Sequence, residues 1–163
     1  MNIEIILTPA ELPALAKRDL SGTACVVFDV LRATSTLVTA LQNGASAIIP
    51  VSEISEALEI KKQRPEALTG GERNGVKIRA GGVEFDFGNS PREYANVRGK
   101  TIVSTTTNGT RALRACAGAR TVLAAAFLNL SATADFLREK KFEDVLLVCA
   151  GTRENAALED VLA

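Results

Sequence analysis

Apolar residues in this chain fall into short blocks set between polar and glycine-rich stretches. Strand-like runs occur near 3–7, 24–30, 47–51, 101–105, 121–126 and 144–149. Helical periodicity is read near 9–18, 34–43, 53–63, 91–95, 110–117, 132–140 and 153–162. This alternation predicts an α/β chain built from βα units, with a mostly parallel sheet covered by helices. Thr8-Pro9-Ala10-Glu11 and Ser90-Pro91-Arg92-Glu93 each combine a capping box with proline at the first helical position. Asn43-Gly44 and Gly118 supply helix stops.

Three of the apolar runs break into a small residue and a threonine where a helix is expected to start. They are Val26-Val27-Phe28-Asp29-Val30-Leu31-Arg32-Ala33-Thr34, Ile102-Val103-Ser104-Thr105-Thr106-Thr107-Asn108-Gly109-Thr110 and Leu146-Leu147-Val148-Cys149-Ala150-Gly151-Thr152. Free backbone N–H groups and the positive dipole end at a helix N-terminus suit an anion. If the three strands are parallel neighbours, all three turns share one sheet edge, and a small, multiply charged anionic ligand is expected there. Residues 26–58 and 102–137 also share one order: strand, turn, helix, Gly-Ala, strand and a serine-started helix. Thr34 and Thr110 stand 76 residues apart, which marks a weak internal duplication.

The middle segment, 68–90, breaks the pattern with glycine pairs and alternating charges. Its length without regular structure reads as a binding loop or lid.

Composition narrows the chemistry. The 163 residues fit one α/β domain, 1–163, with a core of its own. Lys and Arg number 19, as do Asp and Glu, so no charge excess argues for nucleic acid or a membrane surface. Aromatic residues make up 4% with no Trp, which weakens any base-stacking reading. No apolar run is long enough to span a bilayer, and Met1-Asn2-Ile3-Glu4 lacks the basic start of a signal peptide. Cys25, Cys116 and Cys149 have no metal-ligand spacing and read as reduced core residues of a cytoplasmic protein. Histidine is absent altogether. Catalysis would therefore rest on carboxylates, Arg, Lys, hydroxyls and backbone amides, with or without a hard metal.

Asp29 ends an apolar strand, where a carboxylate could bind a hard metal or attack phosphorus. Arg32 is placed to clamp a phosphoryl or sulfonyl group, and Thr34, Ser35 and Thr36 add hydroxyls. The run Thr105 to Arg111 reads as an oxyanion cradle, since Asn108-Gly109 permits positive φ. Gly70-Gly71-Glu72-Arg73 offers a second carboxylate and a cation, and Ala150-Gly151-Thr152-Arg153 reads as a repeat of the cradle. Glu159 and Asp160, two turns into the last expected helix, point away from its start; a solvated face suits Glu159, and Asp160 stays open. A Walker A run, a GxGxxG fingerprint and an EF-hand loop are all missing. A haloacid dehalogenase-like phosphatase needs aspartate two positions after Asp29, where Leu31 stands.

Five segments together resemble the 2-phosphosulfolactate phosphatase family in order and approximate spacing. They are Phe28-Asp29-Val30-Leu31-Arg32-Ala33-Thr34-Ser35-Thr36, Gly70-Gly71-Glu72-Arg73, Asp86-Phe87-Gly88-Asn89-Ser90-Pro91, Thr105 to Ala112 and Cys149-Ala150-Gly151-Thr152. The resemblance implies a three-layer α/β/α fold with a mixed sheet. It implies a Mg²⁺-dependent phosphatase that hydrolyses 2-phosphosulfolactate to 3-sulfolactate and phosphate, a reaction of coenzyme M biosynthesis, with a related phosphorylated 2-hydroxy acid as the other expected substrate. It also implies that family members run several tens of residues beyond Leu158 to Ala163, so the chain is expected to lack a C-terminal segment. An uncapped apolar end then favours pairing with another copy, a possible homodimer.

On this reading Asp29 and Glu72 hold Mg²⁺, with Asp160 as a further metal ligand, and Arg32 joins Asp29 and Glu72 as catalytic. Thr34, Ser35, Asn108, Gly109, Thr110, Gly151 and Thr152 surround the phosphate. Arg73, Asn89, Arg111 and Arg153 take the carboxylate and sulfonate. The attacking group is a metal-activated water or Asp29 itself. The alternative is a non-catalytic binding module for a phospho-acid or phosphosugar, using the same turns without a metal.

Overall fold

The computed structural model describes residues 1–80 and 82–163; Gly81, within the segment expected to form a loop or lid, lies outside the described residues. Strands β1 (Asn2–Ile6), β2 (Thr23–Phe28), β9 (Thr121–Ala125) and β10 (Asp144–Cys149) form a parallel sheet in the order β1-β10-β2-β9. A second sheet runs β3 (Ala47–Pro50), β8 (Thr101–Thr105), β4 (Leu68–Arg73) and β5 (Val76–Lys77), with only the β4–β5 pair antiparallel. Short strands β6 (Arg79–Ala80) and β7 (Val83–Glu84) pair separately. Helices are α1 (Leu12–Leu15), α2 (Ala33–Gln42), α3 (Ile54–Gln63), α4 (Gly109–Ala115), α5 (Leu130–Lys140) and α6 (Leu158–Leu162).

The expected α/β/α layering is present. On one face of the first sheet Cys25, Val27, Leu146 and Val148 pack with Leu12 and Leu15 of α1 and Ala112 of α4. On its other face Val26, Phe28 and Val145 meet Phe136 and Leu137 of α5. In the second sheet Val103 packs against Ala57 of α3, while Ile102 packs with Ala40 of α2 and Tyr94. These near-continuous apolar strands suit sheets covered on both faces. All three cysteines are buried free thiols, Cys25 and Cys149 in strands and Cys116 at the end of α4.

The duplication runs through the topology. Residues 23–73 form β2-α2-β3-α3-β4, and residues 101–149 form β8-α4-β9-α5-β10. The first strand of each unit sits in the other unit's sheet: β2 lies between β10 and β9, and β8 lies between β4 and β3. Each half is thus threaded into the other through one strand, and the two sheets share one plan, 3-1′-2.

Several sequence expectations need correction. The three threonine turns do not follow neighbours in one sheet, because β8 belongs to the second sheet. Residues 68–73 are not loop but a strand at the centre of that sheet. The glycines there serve close approach rather than looseness. A Cβ at Gly70 would run into the Tyr94 hydroxyl, and one at Gly71, with φ +140°, into the Thr105 carbonyl oxygen. The helix read over 9–18 is a 3₁₀ turn at Pro9–Glu11 followed by α1 alone. The Ser90-started segment is likewise a 3₁₀ turn, Pro91–Tyr94. The helix read over 153–162 starts only at Leu158. Thr152 pairs with Asn155 across a tight turn, in which Gly151 and Arg153 hold φ of +60° and +58°. The third cradle is therefore a loop, not a helix N-terminus.

Candidate active site

Asp29 stands one residue past β2, and the chain must reverse there to enter α2. Its Oδ1 accepts the Ala33 N–H at 2.9 Å, so the carboxylate caps the helix. Thr34 Oγ1 accepts the Asp29 N–H at 3.1 Å and lies 2.8 and 2.7 Å from the carbonyl oxygens of Asp29 and Ala125. The same knot closes the other half: Thr110 N–H donates to Thr106 Oγ1 at 3.0 Å, and Thr106 N–H to Thr110 Oγ1 at 3.1 Å. Thr106 is thus the counterpart of Asp29, with a hydroxyl capping α4 where a carboxylate caps α2.

The two turns meet. A Cβ at Gly109 would lie 2.6 Å from Ala33 Cβ and 2.6 Å from Asp29 Oδ2, so only glycine lets the start of α4 come this close. Between them opens a cavity of about 300 Å³ lined by Asp29, Leu31, Arg32, Glu72, Asn74, Gly75, Asn89, Thr107, Asn108, Thr152 and Arg153. Glu72, at the end of β4, reaches across to the second turn. Its Oε1 accepts the Thr107 N–H at 2.7 Å, and its Oε2 accepts the Gly75 N–H at 2.6 Å and the Thr107 hydroxyl at 3.0 Å. Asp160 of α6 makes a matching bridge, from Val30 N–H at 2.8 Å to Gly151 N–H at 2.9 Å.

Asp29, Glu72 and Asp160 are all buried, and among the described residues none of them belongs to an ion pair. Burial pushes the Asp29 carboxyl up to about 6, with the negative charges of Asp160 and Glu72 adding to the rise and the Ala33 and Gly109 amides opposing it. Burial also raises Asp160, against the pull of its two amide donors. Arg32 and Arg153 are exposed and free of ion pairs among the described residues. The site therefore sets uncompensated buried carboxylates beside free guanidinium groups.

Of the residues selected from the sequence, the cavity gathers Asp29, Arg32, Glu72, Asn89, Asn108, Thr152 and Arg153. Others support it from behind. Thr34 is buried in its knot, and Ser35 donates to the Val30 carbonyl at 2.7 Å. Gly109, Thr110 and Gly151 are buried in the turns, so they shape the backbone rather than line the cavity. Arg73 and Arg111 fall elsewhere, in a neighbouring cleft with Ser52, Glu53, Thr106, Thr107 and Thr110. Arg73 donates to the Ser52 carbonyl at 2.6 Å and to Thr105 Oγ1 at 2.8 Å, and Arg111 is paired with Glu154 at 2.7 Å. Neither lines the cavity that gathers the other selected residues.

Both Asp160 oxygens accept backbone amides, as those of Glu72 do, but Asp160, unlike Glu72, does not line the cavity. Among the described residues no three Asp, Glu, Cys or His side chains cluster closely enough to hold a metal, so the expected ligand trio of Asp29, Glu72 and Asp160 does not converge. Leu31, Asn74 and Gly75 also line the cavity without an expected role, as does Thr107 from within the run read as an oxyanion cradle. Asn74-Gly75 is a turn signal that the sequence did display, and both residues take positive φ, 54° and 80°.

A family model described as 2-phosphosulpholactate phosphatase matches residues 7–163. The chain belongs to the 2-phosphosulpholactate phosphatase family. A Thermotoga petrophila protein named probable 2-phosphosulfolactate phosphatase is 54% identical over 139 residues, covering 84% of this chain and 57% of the relative. One of the same name from Carboxydothermus hydrogenoformans is 44% identical over 160 residues, 98% of this chain and 63% of the relative. The chain thus spans about three-fifths of the length of these relatives. Among the described residues no helix is long and apolar enough to cross a membrane.

Proposed function

We propose that this chain carries the phosphate-releasing site of a Mg²⁺-dependent phosphatase that hydrolyses 2-phosphosulfolactate with water to 3-sulfolactate and phosphate, or a related phosphorylated 2-hydroxy acid to its own hydroxy acid and phosphate. The observation that carries the reading is the cavity itself, with two buried, unpaired carboxylates, Asp29 and Glu72, facing the free cations Arg32 and Arg153. The family relationship supplies the substrate class. A non-catalytic anion receptor would have no use for buried carboxylates in the same cavity, since they repel its ligand.

The residues fit a hard divalent cation. Mg²⁺ keeps several waters and takes one or two carboxylates together with substrate phosphate oxygens, which two acids satisfy without a third. Asp29 and Glu72 would hold it, and bound there it would polarise the phosphoryl group and neutralise developing charge. The chain's own groups do the rest. Arg32 and Arg153 receive phosphoryl, carboxylate or sulfonate oxygens as forked donors. Asn89, Asn108 and Thr152 add neutral donors around the cavity. Fixed donors of this kind stabilise charge that appears in the transition state without reorganising. Ala33 N–H and the Gly109 contact hold the Asp29 carboxylate in one orientation toward the reacting phosphorus.

The test is phosphate release from 2-phosphosulfolactate and from other phosphorylated 2-hydroxy acids, with Mg²⁺ and with EDTA. The Thermotoga petrophila relative serves as a parallel sample. Magnesium-dependent release is expected. Thermal stabilisation by these compounds with no release at any metal concentration would establish a receptor instead.

A further inference from the structure

Asp160 and Glu72 make the same connection in opposite halves of the molecule. Val30 follows Asp29, and Thr107 follows its counterpart Thr106; each of these N–H groups donates to one oxygen of an acid, at 2.8 Å to Asp160 and 2.7 Å to Glu72. The second oxygen takes the amide of a glycine placed two residues after the third strand of a unit. Gly151 follows β10, ending at Cys149, and Gly75 follows β4, ending at Arg73, with distances of 2.9 and 2.6 Å. Both glycines hold positive φ, 60° and 80°. Each acid therefore clips a catalytic turn to the loop beside it. Glu72 also lines the cavity; Asp160 does not.

The loop that Asp160 clips is the one that presents Thr152 and Arg153. Among the described residues neither side chain is in an ion pair; the Thr152–Asn155 bridge ties the turn to itself, and apart from the clasp its side-chain anchor is the exposed Arg111–Glu154 pair. A carboxylate is the only side chain that can accept two convergent N–H donors with its two oxygens from this position. An amide would present its own NH₂ to one of them.

We propose that Asp160 is a positioning residue, and that its carboxylate fixes Thr152 and Arg153 against the substrate's anionic end by locking their loop to the Asp29 turn. The inference rests on the phosphatase reading for its kinetic arm only.

The experiment compares wild type with Asp160→Asn, with Arg153→Ala, with the double variant, and with Val145→Ala, which loosens the β10 core without touching the clasp. Asp160→Asn should raise KM by about 10- to 100-fold, the span usual for a side chain that orients a ligand-binding group, with kcat changed by less than about threefold. Arg153→Ala should add little on top of it, because the guanidinium is already misplaced. Amide hydrogen exchange at Gly151 should quicken by at least about tenfold in Asp160→Asn and stay unchanged in Val145→Ala. A wild-type KM in Asp160→Asn, or an Arg153→Ala effect that multiplies in full, would overturn the assignment. If wild type releases no phosphate, the phosphatase reading has failed. Exchange at Gly151 and the affinity for inorganic phosphate then decide the clasp alone. If Asp160→Asn does not fold, slow exchange of the Gly151 amide in wild type supports the clasp, and fast exchange there rejects it.

Discussion

The two halves of this molecule solve the same folding problem with different chemistry. Each passes from its first strand into a helix through a turn closed by a threonine hydroxyl, Thr34 in one and Thr110 in the other. Each needs an acceptor for the N–H groups at the start of that helix. Thr106 provides a hydroxyl, and Asp29 provides a carboxylate. A helix cap requires only an oxygen, and Ser, Thr, Asn and Asp serve nearly alike. Charge is the part that folding does not ask for. It is costly here, since burial and the neighbouring Asp160 and Glu72 push Asp29 up to about 6. Residues that the fold would accept in cheaper form, yet which keep a costly one, mark where function acts.

The largest expected effect breaks this comparison directly. Asp29→Asn keeps a cap oxygen for Ala33 and removes the charge. Phosphate release should fall by about 10³-fold, comparable to losing a strong transition-state contact, while the metal-free protein unfolds at an equal or higher temperature at pH 7.5. Thr106→Val on the other side should do the reverse. It should cost about 1 kcal/mol in urea unfolding through the lost cap and leave phosphate release within a few-fold. An Asp29→Asn variant with full magnesium-dependent turnover would reject the site.

The second effect concerns pH. With a folded value of about 6 against an ordinary 3.8, Asp29 binds its proton more tightly in the native state. Its contribution is therefore fully present below about 3.8 and is lost as pH rises through about 6. The cost of ionisation is on the order of 3 kcal/mol. Urea midpoints of the metal-free protein should drop between pH 4 and 7, and the drop should shrink in Asp29→Asn to what Asp160, also raised by burial, leaves. Added Mg²⁺ should restore stability at pH 7.5 but not at pH 4.5, where protons compete for the same oxygens.

How much of this the sequence reveals depends on the range of the interactions involved. Strands β2, β8 and β10, and helices α2, α3 and α5, follow from local periodicity and are readable within a few residues. So are Asp29, Arg32, Glu72, Asn108 and Thr152, which sit at strand ends or in turns of marked composition. Residues 68–73 mislead because Gly70 and Gly71 look like a flexible loop, although their smallness is demanded by Tyr94 and Thr105, distant in sequence. Arg73 and Arg111 lie outside the cavity for a related reason. A guanidinium next to a glycine-rich turn looks free until the fold brings up the Ser52 carbonyl and Glu154. Asp160 is the plainest case. Its partners, Val30 and Gly151, lie in separate elements, and no window along the chain contains all three. The exchange of strands between halves is invisible for the same reason: periodicity reports which residues are strands but not which sheet they join.

The smaller effects test the meeting point of the halves and its surroundings. Ala33 and Gly109 start α2 and α4 and are 76 residues apart, so they are counterparts that touch. Gly109→Ala would push a methyl into Asp29 Oδ2 and Ala33 Cβ, at 2.6 Å from each. Overpacking of this sort costs about 1–3 kcal/mol, and it should also lower phosphate release, because the displaced atom is the carboxylate. Ala33→Gly relieves nothing and should cost only about 1 kcal/mol from helix propensity. Equal losses from the two changes in urea titrations would mean that the halves pack alike there, against the structure. Smallest of all is Arg111→Ala. Its partner Glu154 is more than half exposed, and a surface pair contributes about 0–1 kcal/mol. Because Arg111 stands in the neighbouring cleft rather than in the cavity, KM for a phosphorylated 2-hydroxy acid should stay within about twofold of wild type, a shift of under about 0.5 kcal/mol. A tenfold rise would instead carry the substrate's acid group into that cleft, and would make the Glu154 pair a contact that substrate displaces.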